Sequence, residues 1–334
     1  MTVAPLRVAV IGCGDISSVH FDAILANRDA ELVAVCDIDA ELAAQTAARY
    51  GCTAHTELAV MLASARPDVV HICTPHYLHA PMAITALAAD VHVLLEKPLA
   101  TTVSDGEAVV RAAESSQASI GVCFQNRYND TSEALRKLVD GAALGRVLGG
   151  RASVTWFRDE SYYLRRPWRG TWALGGGGVL INQAIHTLDL LQWYLGDVEE
   201  VRGHAHRLSL PDPVQVEDTA ALQLRHTGGA RSIFYASNGY VDNAPVSLEL
   251  VAEGGTARID TDLTVTYADG STEVTVAAQL GSGEKAYWGA SHGLLTDDFY
   301  RHVRTRRPFW IDPTEALKTL RIITDVYAQS PALG

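Results

Sequence analysis

Val8-Ala-Val-Ile11-Gly12-Cys-Gly14-Asp-Ile-Ser17 runs from a short β-branched stretch straight into a glycine pair and then a helical pattern, and its reading decides the fold. Such an order suits a buried strand, a tight turn and a helix whose first N–H groups have no partner of their own. Gly12 permits the turn and Gly14 lets a pyrophosphate approach the backbone. Ser17 stands where a third glycine is usual and is small enough for close helix–strand contact. This is the dinucleotide fingerprint in its required setting, so Gly12, Gly14, Asp15 and Ile16 are candidate cofactor-binding residues. Asp37 closes the next β-branched run, where a carboxylate can accept hydrogen bonds from the adenosine ribose and repel a 2′-phosphate. NAD is therefore expected in preference to NADP.

Working outward, Leu32-Val-Ala-Val-Cys36, Val69-Val-His-Ile-Cys73, Val91-His-Val-Leu-Leu95 and 119–124 repeat the strand pattern with helical stretches between them. Their apolar runs lack strict alternation, as befits strands covered on both faces of a doubly wound parallel sheet. A Rossmann domain is expected over 1–124. Beyond it the pattern changes to a helix at 131–140 and strands near 147–156, 220–226 and 231–237. The last two are joined by Thr227-Gly-Gly-Ala230, a hairpin turn that implies antiparallel pairing. An α+β substrate domain is expected over 125–334, and the helical stretches at 292–304 and 313–329 are candidates to pack back on the first domain.

The 334 residues exceed one ordinary core, and 48% apolar with 20% charged residues is a globular composition. A net charge of −12 disfavours nucleic acid and anionic membranes, whose binding relies on Lys and Arg. No apolar run is long enough to span a bilayer, and the first residues lack a secretory pattern, so a cytoplasmic location is expected. Cys13, Cys36, Cys52, Cys73 and Cys123 have no Cys-x-x-Cys spacing and read as small buried hydrophobes. His76 and His79 lack a third ligand nearby in sequence, and no metal is expected.

Two further segments carry possible chemistry. Leu94-Leu-Glu96-Lys97-Pro98 ends a buried strand at the edge where open α/β sheets bind ligands. There an ammonium can stabilise negative charge on a substrate oxygen, although an exposed ion pair would read the same way. Gly175-Gly-Gly-Gly178-Val-Leu-Ile-Asn182-Gln-Ala-Ile-His186-Thr-Leu-Asp189 opens a helix, and at helical spacing Asn182, His186 and Asp189 fall on one stripe. A solvated face is the plain alternative.

Together these segments, with Thr74-Pro-His-Tyr-Leu-His79, Gln125-Asn-Arg127-Tyr and Trp168-Arg-Gly-Thr-Trp172, make the chain resemble the Gfo/Idh/MocA oxidoreductases over nearly its whole length. The resemblance implies a Rossmann domain followed by a domain with a large open antiparallel sheet, often used for oligomer contacts. It implies nicotinamide chemistry on sugars or cyclitols. By the same resemblance Lys97 and His186 would be catalytic, with Asn182 beside them at the substrate. Thr74, Pro75, His79 and Glu96 would line the cofactor site, and Arg127, Trp168 and Arg169 would lie near nicotinamide or substrate. Where cyclitol dehydrogenases commonly carry Asp, this chain has Asn182, which can orient an imidazole but cannot take a proton. The leading expectation is an NAD-dependent sugar or cyclitol dehydrogenase, or a ketosugar reductase, forming a homodimer or homotetramer. The alternatives are an NAD-dependent glycoside hydrolase and a non-catalytic NAD(H)/sugar sensor.

Overall fold

Six parallel strands form the first sheet: β1 (Leu6–Ile11), β2 (Ala30–Cys36), β3 (Thr53–His55), β4 (Val69–Ile72), β5 (His92–Leu95) and β6 (Ile120–Val122). These come from a computed structural model that describes residues 4–277 and 291–330. The order β3-β2-β1-β4-β5-β6 reverses direction between β1 and β4, the switch point at which such sheets bind ligands. The β-branched and aliphatic runs account for the burial: Val8, Ala9, Val10, Val69, Val70, Val93, Leu94 and Leu95 are all fully buried between helices. Capping fixes the helix limits. Asp39 accepts from the Glu41 and Leu42 N–H groups at one helix start, and Gly51 ends that helix in a left-handed conformation.

The chain folds as two compact units, Met1–Gln125 with Ala290–Leu317, and Asn126–Gly289 with Lys318–Gly334. Each unit is thus built from two stretches, where the sequence suggested one cut near residue 125. The helix Ser291–Thr305 belongs to the first unit, packs on the helix Ser17–Ala26, and buries Leu295, Phe299 and Tyr300. Beyond it, the Val122 N–H donates to the Ile311 carbonyl at 2.9 Å. A Cβ at Gly121 would stand 2.5 Å from the Phe309 ring, so close packing there requires glycine.

Among its described residues the second unit holds eight strands: β7 (Val147–Thr155), β8 (Val198–His206), β9 (Thr219–His226), β10 (Arg231–Ser237), β11 (Ser247–Ala252), β12 (Gly255–Ile259), β13 (Leu263–Tyr267) and β14 (Thr272–Thr275). Their order is β14-β13-β12-β11-β7-β10-β9-β8. Pairing is antiparallel except between β7 and β10, and β9 and β10 form the hairpin foreseen around Gly228 and Gly229. The helix Ile185–Leu195 covers β7 on one side of the sheet. On the opposite side Ile233, Tyr235 and Val251 are 56%, 40% and 39% exposed.

Candidate active site

In the first unit the candidate residues gather because strand register aligns the strand ends. Ile11 pairs with both Cys36 and Ile72, and Ile72 pairs with Leu95. Gly12, Asp37, Thr74, Glu96 and Lys97 therefore follow four adjacent strand ends at the carboxyl edge of the sheet. Gly12 has φ +87°, and a Cβ on it would lie 2.8 Å from the Cys73 carbonyl oxygen, so the turn admits only glycine. A Cβ on Gly14 would meet nothing within 4 Å among the described residues, which leaves its backbone open to a ligand. Ser17 is buried and its hydroxyl donates to the Gly14 carbonyl at 2.7 Å, fulfilling the part of the third glycine. No side chain caps the helix that starts at Ser17, next to Asp15 and Ile16. Its first N–H groups can therefore serve a phosphate. Asp37 Oδ2 accepts from the Cys13 N–H at 2.7 Å and Oδ1 from the Asp39 N–H at 3.0 Å. Among the described residues the buried Thr74 hydroxyl has no hydrogen-bond partner, which suits a cofactor contact. These features fit a dinucleotide.

His79, expected in the cofactor lining, opens the helix that follows the loop after β4. It is buried, with Nδ1 2.7 Å from the Pro98 carbonyl oxygen and Nε2 2.9 Å from that of Thr74. Both ring nitrogens are occupied by protein oxygens, so the residue braces the loop after β4 against the loop after β5. Glu96 is likewise buried, and its Oε2 accepts from the Lys97 N–H at 3.2 Å. Burial alone would raise Glu96, yet hydrogen bonds from His20 and His292 outweigh it and hold the carboxyl well below its usual range. Lys97 itself is half-buried. Neither His20 nor His292 was singled out as a site residue from the sequence.

The second unit holds His186, Asn182, Arg127, Trp168 and Arg169. The segment Val179–Ala184 is π-helical and passes into the α-helix Ile185–Leu195, leaving Asn182 and His186 half-buried. Asp189 does not share their surroundings, as the stripe implied. It is buried, taking two 2.7 Å hydrogen bonds from Arg127 Nε and Nη2 and one of 3.2 Å from the Thr319 hydroxyl. Arg127, expected near nicotinamide or substrate, thus forms a buried bidentate pair, the arrangement that best offsets removing two charges from water. Asn182 Nδ2 and Gln183 Nε2 both donate to the Tyr162 hydroxyl, at 3.2 and 2.9 Å. The Arg169 guanidinium lies 4.5 Å from the Tyr162 ring centre and 5.5 Å from that of Trp168, joining these residues through cation–π contact.

Glu217 anchors the glycine-rich entry to this helix and went unread in the sequence, where an acidic residue in Val216-Glu-Asp218 carries no distinguishing pattern. It is buried and accepts from Gly178 N–H at 2.7 Å, Leu180 N–H at 3.0 Å and the Tyr327 hydroxyl at 2.7 Å. Burial pushes it up to about 7 against those three hydrogen bonds. A Cβ on Gly178 would fall 1.9 Å from the Glu217 carbonyl oxygen, and one on Gly177 2.2 Å from the Tyr327 hydroxyl. The glycines are required here for approach to the protein's own groups. Lys97 belongs to the first unit and His186 to the second.

Comparison with known proteins matches residues 6–124 to the oxidoreductase family with an NAD-binding Rossmann fold, and residues 132–258 to the GFO/IDH/MocA C-terminal domain. A solved WlbA dehydrogenase from Bordetella pertussis, in complex with NADH and UDP-GlcNAcA, is 30% identical with a TM-score of 0.84. That alignment covers 97% of this chain and 96% of the other. The D-apiose dehydrogenase of Paraburkholderia graminis is 28% identical over 98% of this chain and 88% of its own length. The D-glucoside 3-dehydrogenase of Escherichia coli is 34% identical over 61% of this chain, a match spanning 59% of that enzyme. Neither the hydrolase nor the sensor alternative draws support from these relatives. Among the described residues no helix is long and apolar enough to cross a membrane.

Proposed function

The chain belongs to the Gfo/Idh/MocA family of NAD-dependent oxidoreductases, and from that premise we propose that it oxidises a CH–OH group of a sugar, sugar derivative or cyclitol, or reduces the corresponding ketone. The observation that carries this reading is the alignment of Gly12, Asp37 and Lys97 along one sheet edge, with the Asp37 carboxylate tied to the glycine turn. The first N–H groups of the helix Ser17–Ala26 would hold the pyrophosphate, and Asp37 the adenosine ribose. NAD bound there supplies the hydride acceptor.

Oxidation also requires loss of the hydroxyl proton. His186 is assigned as the base, because the bare ring nitrogen of a neutral imidazole can take a proton whereas a lysine ammonium has no lone pair to offer. Lys97 then stabilises the alkoxide. Asn182, held by Tyr162, orients the substrate or the imidazole without exchanging a proton with it. The Ile233, Tyr235 and Val251 face supports a second reading, of assembly state: another copy of the chain covers it in a homodimer or homotetramer in the cytoplasm.

A panel of methyl β-D-glucoside, D-apiose, myo-inositol and UDP-GlcNAcA, scored for NADH formation with product analysis, tests the reading. Net NADH with a ketone or lactone product supports it, and cleavage without NADH contradicts it.

A further inference from the structure

Beside Lys97 a buried polar chain converges on Glu96. Glu96 Oε1 is 2.9 Å from His20 Nε2 and 3.2 Å from His292 Nε2. His20 Nδ1 is 2.9 Å from His71 Nδ1, and His71 Nε2 is 2.8 Å from the Tyr300 hydroxyl. All five side chains are buried. They come from the first helix, from β4, from the end of β5 and from the helix Ser291–Thr305, so residues distant in sequence converge on one carboxylate.

Hydrogen-bond chemistry fixes the direction of every link. An ionised Glu96 only accepts, so His20 and His292 donate to it from Nε2–H. A neutral His20 then has a bare Nδ1 and accepts from His71 Nδ1–H, which leaves His71 Nε2 to accept the Tyr300 proton. Burial lowers His20 and pushes His71 well below the ordinary imidazole value, in keeping with both rings being neutral. Cys73 and Cys123 also face Glu96, but burial raises both thiols well above their usual value and they remain uncharged. Glu96 is the carboxylate on which these links converge, and its other oxygen holds the Lys97 N–H. His20, Glu96 and His292 stand within 4.8 Å of one another, close enough to hold a metal ion. The chain of donors and acceptors closes without one.

Taking Lys97 as catalytic, as proposed above, we infer that His20 and His292 are positioning residues for Lys97, acting through Glu96, with His71 and Tyr300 fixing the tautomer of His20. The two imidazoles on Oε1, the Lys97 N–H on Oε2 and the Cys123 thiol beside them leave the carboxylate a single orientation, and that orientation sets the backbone of the residue presenting the ammonium. His292 makes the reactive edge dependent on a helix from the C-terminal part of the chain.

The full-length protein carrying His292→Leu, His292→Gln or Lys97→Ala provides the test. Three quantities are read: kcat on the panel compound the wild type oxidises fastest, NADH affinity by fluorescence, and the acetic anhydride labelling rate of Lys97 against that of Lys137 and Lys318. In His292→Leu, kcat should fall by about 10- to 100-fold. Lys97 labelling should change by about threefold or more, while NADH affinity stays within about twofold. His292→Gln places an amide N–H where Nε2–H was and should recover most of both losses. Wild-type kcat and labelling in His292→Leu overturns the inference. So does an equal loss of kcat and NADH affinity in both His292 variants, or a stoichiometric zinc ion in the wild type that His292→Leu removes. Full activity in Lys97→Ala, by contrast, removes Lys97 from the reaction and the inference with it.

Discussion

The Asp37 carboxylate accepts the Cys13 N–H at 2.7 Å, so the residue after β2 is fastened to the glycine turn after β1. It is fixed also by the Asp39 N–H, and in the proposed reading it would receive ribose hydroxyls and repel a phosphate at the same place. NAD(H) should bind about tenfold or more tighter than NADP(H), and Asp37→Ala should narrow that gap. Titration of both proteins with both cofactors decides it; equal affinities in the wild type remove Asp37 from this role.

Glu217 gives stability a pH dependence. Its folded value, about 7, lies above the ordinary 4.5, so its contribution is fully present below pH 4.5 and is lost as pH rises through 7. Across that window the loss is about 3 kcal/mol. Thermal melts between these limits should slope downward with pH in the wild type and less in Glu217→Gln. Parallel slopes would show that Glu217 titrates normally.

Gly178→Ala places a Cβ against the Glu217 carbonyl oxygen, at the entry to the His186 helix. Overpacking of this kind costs about 1–3 kcal/mol, and kcat should fall with His186 displaced. An unchanged melting temperature and kcat in this variant would mean that the segment yields freely.

The open face of the second sheet predicts association. Light scattering at micromolar concentration should give a multiple of 35.9 kDa. The monomer mass would contradict coverage by a second copy.

Much of this arrangement was legible in the sequence where burial on both faces forced apolar runs, as in β1, β2, β4 and β5. The hairpin of β9 and β10 was readable from its glycines. Strands β11 to β14 were not, because Glu249, Arg258 and Thr264 occupy one row of the open face and break the apolar signal. The Asn182 to Asp189 stripe assumed one regular helix, whereas its first part is π-helical and Asp189 turns inward to Arg127. That pairing spans 62 residues and has no local signature. The same holds for His20 and His292, which meet Glu96 only through tertiary packing.

The most direct test of the account is kcat for Lys97→Ala, His186→Ala and the double variant on the compound the wild type oxidises fastest, with NADH binding measured alongside. Each single change should lower kcat by about 10² to 10⁴ with cofactor affinity retained. The double variant should lose less than the product of the two if both groups serve one proton transfer. Near wild-type kcat in His186→Ala would make the polar groups of that helix structural and contradict the mechanism.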